Sequence, residues 1–389
     1  MKRVFSIDFA RGLVMIIMAL DHVRDMMQIN SVVQSPTDLA TTTPALFFTR
    51  WITYLCAPIF VFLAGTSAYI SLRNKNHINQ SKKFLVTRGL WLILLEFTIV
   101  NFGLFFDPGF HTLIFEVIAT IGFGFIILSF LLKLKPKTIA IIGLIIIFGH
   151  NLLSLIPLAD GSITKTILDL LFNLAAFPVS PHTTFVMAYP PIPWLGIMLI
   201  GFASGNLFEL PEAKRASLFL RIGFGALLLF VALRFLNVYG DPSRWSVQKN
   251  GMFTFLSFMN ITKYPPSLLF CLITLGIMFL IFAFSEKIKG WFMEVTSVYG
   301  KVPFFYFLVH FYLVHIALLA ILLFQGFHWH QLDFASGTFG RPKGVQSGVS
   351  LGIVYLIWIC VVVILYKPCV WYGRFKTANK NKYWWLRYI

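Results

Sequence analysis

About ten stretches of roughly twenty apolar residues, separated by short polar segments, limit this chain more than any other feature. A helix that long spans the ~30 Å hydrocarbon core of a bilayer. The stretches fall near 8–28, 48–72, 86–106, 112–132, 138–157, 185–207, 216–238, 266–285, 302–324 and 350–370. Composition agrees, because 58% of the 389 residues are hydrophobic, only 12% are charged, and the mean hydropathy is +0.80. A soluble domain carries about a quarter charged residues. The chain reads as an all-α polytopic membrane protein of about ten transmembrane helices, eleven if segment 163–176 also crosses.

Charge placement gives an orientation. The net charge of +17 brings no long basic run or stacking array, so nucleic acid is not indicated. Most of the Lys and Arg instead gather between alternate apolar stretches. These clusters are Lys2/Arg3, Arg73/Lys75/Lys82/Lys83/Arg88, Lys133/Lys135/Lys137, Lys214/Arg215, Lys287/Lys289/Lys301 and a tail from Lys367 to Arg387. Positive residues mark the cytoplasmic side, which puts both termini inside. The MKR start resembles a signal peptide, but Asp8 and Arg11 interrupt its apolar run and no small-residue cleavage site follows. It reads as a retained first span. Two long external loops are expected, 158–184 and 239–265. Within the first, segment 163–176 (ITKTILDLLFNLAA) is too short to span and reads as an interfacial helix. The whole, 1–389, reads as one membrane domain with a short basic tail at 371–389. Cys56, Cys271, Cys360 and Cys369 show no CxxC spacing, so neither a disulfide framework nor a zinc site is indicated.

The first span is the unusual one. Residues 6–25, SIDFARGLVMIIMALDHVRD, carry Asp8, Arg11, Asp21, His22, Arg24 and Asp25. Charges inside a bilayer are costly, so they face a bundle interior and mark function. At 100° per residue, Asp8, Arg11, Met15, Met18, His22 and Asp25 fall near one helical line. Arg11 and His22 are then about three turns, or roughly 16 Å, apart along one face. The competing reading is that the terminal charges reach the two interfaces and only His22 is unusual.

Further polar groups interrupt later spans: Glu96, Asn101, Glu116, His150, His310 and His315. The prolyl segments YPPIPWLG, KYPPS and GKVPFFYFLVH signal broken or newly starting helices. On the proposed topology the first two of these enter from outside, so a polar pocket toward the outer surface is expected. His22 is the candidate proton-transfer group, with Asp21 or Asp25 to orient it. His310 and His315 are five residues apart, about 140° around a helix, which is unsuited to chelating one metal. No metal site, nucleophile elbow or phosphate-binding glycine loop is indicated.

Together SIDFARGLVMIIMALDH, APIFVFLAGTSAY, YPPIPWLGIMLIGFASG, KYPPSLLF and KVPFFYFLVH resemble the bacterial relatives of heparan-alpha-glucosaminide N-acetyltransferase, from residue 3 to about 370. The Arg11–x10–His22 spacing is also similar to the paired Arg and His of the wider transmembrane acyltransferase superfamily. The resemblance implies transfer of an acetyl or other acyl group from cytosolic acyl-CoA, the co-substrate, to an outward-facing sugar or amino-sugar acceptor. It also suggests a bacterial cytoplasmic (inner) membrane. The lysosomal enzyme has its catalytic histidine in the outer loop after this span, whereas loop 29–47 here has none. Either His22 takes that role or this branch does something else.

In this reading His22 is the base, Asp21 or Asp25 orients it, and Arg11 meets the CoA arm or braces the site through Asp8. Arg50, Asn101, Glu116, Lys263 and Tyr264 line the acceptor side. Arg73, Lys82, Lys83 and Arg88 hold the nucleotide phosphates, or serve only as orientation signals. The expected partners are the lipid bilayer and a small-molecule or glycan acceptor, with room for a homo-oligomer. A rival reading is a transporter or flippase for a small polar or glycan-related substrate that uses a buried His/Asp relay.

Overall fold

The computed structural model describes residues 5–75, 77–286 and 289–387. The basic signals at Lys2, Arg3 and Lys287 lie outside the described residues. Helices account for 70% of the described residues, with little sheet. The chain begins with α1 (Phe5–Met27), then α2 (Pro44–Thr53) and α3 (Cys56–Lys75). Helix α4 (Ile78–Leu95) passes through a π-helical turn, Glu96–Val100, into α5 (Asn101–Phe105). Strand β1 (Thr112–Phe115) leads into α6 (Val117–Leu131), which is followed by α7 (Pro136–Gly149). Next come α8 (Ile163–Phe172), β2 (Ala175–Ser180) and β3 (Thr183–Met187). The remaining helices are α9 (Pro191–Ala203), α10 (Glu212–Leu236), α11 (Gly251–Met259), α12 (Leu268–Ser285), α13 (Trp291–Lys301), α14 (Pro303–Phe324) and α15 (Leu351–Asn379).

Every expected span contains a helix, but they do not all qualify alike. Among the described residues, eight helices are long and apolar enough to cross a membrane, with Pro44–Arg73 and Ile78–Phe105 each counted as one. The other two expected spans are α1, which is long but rich in charge, and the shorter Val117–Leu131.

The all-α expectation needs correcting for a three-stranded sheet in the order β1-β3-β2. Strand β1 runs parallel to β3, with Thr112 opposite Thr184 and Phe115 opposite Met187. Strand β2 runs antiparallel to β3. These apolar strands sit directly before α6 and α9, so in sequence they merge with the helical runs. The helix expected over 163–176 ends at Phe172, and Ala175 and Ala176 pair in β2. The basic tail continues α15 as far as Asn379 rather than leaving the helix at 371.

Helix α1 sits at the centre, against α2, α3, α12, α13, α14 and α15. That position explains how it carries charge: protein, not lipid, surrounds it. Between lipid-immersed helices there is little hydrophobic drive, so association rests on close packing that small residues allow. A Cβ on Gly12 would stand 1.8 Å from the Thr296 carbonyl oxygen, and one on Gly300 would stand 1.9 Å from that of Asp8. The backbones of α1 and α13 are therefore in direct contact. Gly65 and Gly201 play the same part between α3 and α9.

Polar residues within spans also build the scaffold. Glu96 accepts from the Ala119 N–H at 2.8 Å, satisfying a first-turn amide of α6. Asn101 donates to the Thr112 carbonyl at 2.9 Å and accepts from the Ile114 N–H at 3.0 Å, which clamps β1. The prolines open helices, with Pro191 first in α9 and Pro303 first in α14. After KYPP, Ser267 caps α12 by accepting from the Phe270 N–H at 3.0 Å.

Candidate functional site

Two cavities lie along α1, separated by a common wall. The first, about 440 Å³, is lined by Asp21, His22, Asp25, Glu116, Lys263 and Tyr264, among others. The second, about 330 Å³, is lined by Arg11, Arg88, Lys301 and Lys376, with Ser67, Ser71 and apolar side chains. Phe60, Val117 and Phe307 border both. The helical line drawn from sequence thus joins two chambers: His22 opens on one and Arg11 on the other.

In the first cavity, His22 Nδ1 lies 2.5 Å from His310 Nε2, and the His22 ring stacks on Phe311 at 4.3 Å between centroids. The expected orientation of His22 by Asp21 or Asp25 is not what the structure presents. Asp21 Oδ1 accepts from Arg24 Nη2 at 2.6 Å, from Arg50 Nη1 at 2.7 Å and from Thr53 Oγ1 at 2.7 Å. Asp25 pairs with Arg24 at 2.7 Å and with Arg50 at 3.7 Å. Two carboxylates and two guanidiniums balance one another, as buried charges require. They form a cluster beside His22 and leave its Nδ1 to His310.

The expected acceptor side divides. Glu116, Lys263 and Tyr264 line the cavity, Arg50 stands behind it on Asp21, and Asn101 holds β1, whose Thr112 and Ile114 reach the lining. Lys263 is 6% exposed. Its ammonium lies 4.9, 5.7 and 6.0 Å from the ring centroids of Tyr264, Tyr189 and Tyr54, a cation–π cage.

The expected phosphate-binding set divides as well. Arg88 lines the second cavity; its Nε is buried without a hydrogen-bond partner, and its guanidinium lies 5.5 Å from the Phe125 ring. Arg73 instead pairs with Glu209 at 3.2 Å, Lys82 sits over the Phe130 ring, and Lys83 is exposed. None of those three lines the cavity. Arg11 donates to Ser67 Oγ at 3.1 Å and to the Gly300 carbonyl at 3.3 Å, and lies 3.8 Å from Asp8.

Sequence reasoning missed four contributors. His310 stood out only as an intramembrane histidine, and Lys301 and Lys376 only as orientation signals. The fourth is the segment between α14 and α15, whose Ser336, Gly337 and Phe339 line the first cavity. Buried Arg341 straps that segment to the end of α1, donating to the Gln28 carbonyl at 3.0 Å and to Ser31 Oγ at 2.8 Å. At its bend, burial alone would raise the Asp333 carboxyl, but hydrogen bonding to Ser336 and the Lys343 ammonium hold it below the usual range.

A mostly helical bundle around a charged central helix, with a histidine pair in one chamber and cations in another, marks an integral membrane protein with two polar chambers inside it. The chain belongs to the heparan-alpha-glucosaminide N-acetyltransferase catalytic family, a family of membrane acetyltransferases, whose model matches residues 3–239. No curated protein matches the chain. The family match covers α1 to α10, while Lys263, His310 and two of the four cations of the second cavity lie beyond it. Among the described residues, no group of three or more His, Cys, Asp and Glu is placed to hold a metal.

Proposed function

We propose that the chain is a two-sided acyltransferase of a bacterial cytoplasmic membrane, taking an acetyl or other acyl group from cytosolic acyl-CoA to an outward-facing sugar or amino-sugar acceptor. The observation that carries this reading is the pair of cavities meeting at Phe60, Val117 and Phe307. At about 330 Å³ the second cavity is at the small end of ligand pockets, which run roughly from 300 to 1,000 Å³, so it suits the acyl-pantetheine arm. Arg11, Arg88, Lys301 and Lys376 supply positive charge for CoA phosphates. Orientation by the positive-inside rule turns this cavity to the cytoplasm, since Lys301 and the α15 tail belong to basic clusters.

His22, Glu116 and Lys263 serve the acceptor from the other side. His22 removes the proton from the attacking O–H or N–H, a task suited to imidazole near neutral pH. The Lys263 ammonium stabilises negative charge on the acyl oxygen or orients an acceptor hydroxyl. Asp21, Asp25 and Arg50 hold that end of α1 in place. The test is incubation of purified protein with labelled acetyl-CoA and glucosamine. Label transfer supports the enzyme. Flux of the amino sugar through liposomes without transfer favours a transporter instead.

A further inference from the structure

The two rings at the centre of the bundle impose a direction on one hydrogen. His310 Nδ1 lies 3.2 Å from the carbonyl oxygen of Tyr306, one turn earlier in α14. A carbonyl oxygen only accepts, so Nδ1 carries the hydrogen. A neutral imidazole has one N–H and one lone pair, which makes His310 Nε2 an acceptor. His22 Nδ1, 2.5 Å from it, is then the donor. The lone pair of His22 is left on Nε2. His22 lines the first cavity and His310 is 0% exposed, so Nε2 of His22 is the nitrogen available there.

Other arrangements meet opposition. Reversing the chain aims a lone pair of His310 Nδ1 at the Tyr306 carbonyl. Protonating both nitrogens of His310 puts a charge on a wholly buried ring packed against Tyr306, Phe307 and Phe311, a costly state without a paired anion. Asp21, the nearest carboxylate in sequence, is committed to Arg24, Arg50 and Thr53.

We propose that His310 is a positioning residue that holds His22 in the tautomer with hydrogen on Nδ1 and a lone pair on Nε2 facing the cavity. The tautomer stands on geometry alone; its use rests on the acyltransferase reading. In that use, the acceptor's O–H or N–H proton passes to His22 Nε2 while the acceptor atom bonds to the acyl carbon. The C–S bond then breaks, the electron pair leaves on sulfur, and the proton from Nε2 returns to the thiolate, giving free CoA thiol. Throughout, His22 Nδ1–H remains hydrogen-bonded to His310.

The test is nitrogen NMR of histidine-labelled protein in lipid nanodiscs, with the His22 signals identified by their loss in His22→Ala. The expected wild-type spectrum has His22 protonated at Nδ1 and bare at Nε2, and His310→Leu moves the hydrogen toward Nε2. A wild-type His22 protonated at Nε2, or a tautomer indifferent to His310→Leu, overturns the proposal. With acetyl-CoA and glucosamine, His310→Leu should lose about 10²–10⁴-fold in kcat, the range of general-base catalysis, with KM for acetyl-CoA within about twofold. His310→Gln should recover much of the loss, because its amide oxygen accepts the same hydrogen bond. Wild-type rates in His310→Leu overturn the proposal. Absence of transfer in the wild type overturns the acyltransferase reading and leaves the tautomer to be judged by NMR.

Discussion

Asp21 receives Arg24, Arg50 and Thr53 on one buried carboxylate, and that arrangement separates structural charge from chemical charge in α1. Removing one member of a buried ionic cluster strands its partners and typically costs about 3–5 kcal/mol. Asp21→Ala should therefore destabilise the protein by that amount, measured by thermal or denaturant unfolding in detergent. Asp25→Asn should cost less, since the Asp25 side chain is 41% exposed. His22→Ala should leave folding intact and lower transfer about 10²–10⁴-fold, the usual weight of a general base; a labelled acetyl-CoA assay beside an unfolding curve checks both halves. The stripe that singled out His22 was legible because helical period and bilayer cost act on one local segment. The partner was not, because His310 lies in another helix, 288 positions away, and adjacency in sequence favoured Asp21.

At the level of elements, the spans were readable from apolar run length, and the starts of α9, α12 and α14 from the prolyl segments. Two kinds of element escaped. Strand β1 is separated from α6 by Glu116 alone, and β3 ends three residues before α9, so TLIF and the last three residues of TTFVM were absorbed into spans. Helix α13 fell in a segment read only for its positive charge, yet it presses directly on α1. The contact is between backbones, so its signature is glycine, which in sequence looks the same as a loop residue. Gly12→Val should thus force α1 and α13 apart and abolish the folded-protein peak on size-exclusion chromatography. Gly225→Ala in α10 is the control: a Cβ there meets nothing within 4 Å, so that variant should elute and melt like the wild type.

For the whole molecule, side and shape are coupled. Thr41 and Lys135 are both exposed, in the α1–α2 and α6–α7 connections. Thr41→Cys should react with an impermeant thiol reagent from outside, and Lys135→Cys only after the membrane is opened, the pattern that the basic clusters require. Labelling of both from one side would refute the proposed orientation. The meeting of Arg11, Arg88, Lys301 and Lys376 was beyond sequence reading, since they come from α1, α4, α13 and α15 and only the packed bundle gathers them. The wall of Phe60, Val117 and Phe307 has an electrical side as well. Chambers approaching from both faces, as the two-sided proposal has them, would together short-circuit a membrane unless a seal lay between them, and the residues that border both are Phe60, Val117 and Phe307. They act as the insulator of a capacitor: an ion entering either chamber would have to shed its hydration to cross. Vesicles carrying the wild-type protein should hold an imposed potassium diffusion potential as long as empty ones, read with a voltage-sensitive dye. Phe60→Gly combined with Phe307→Gly should let that potential drain.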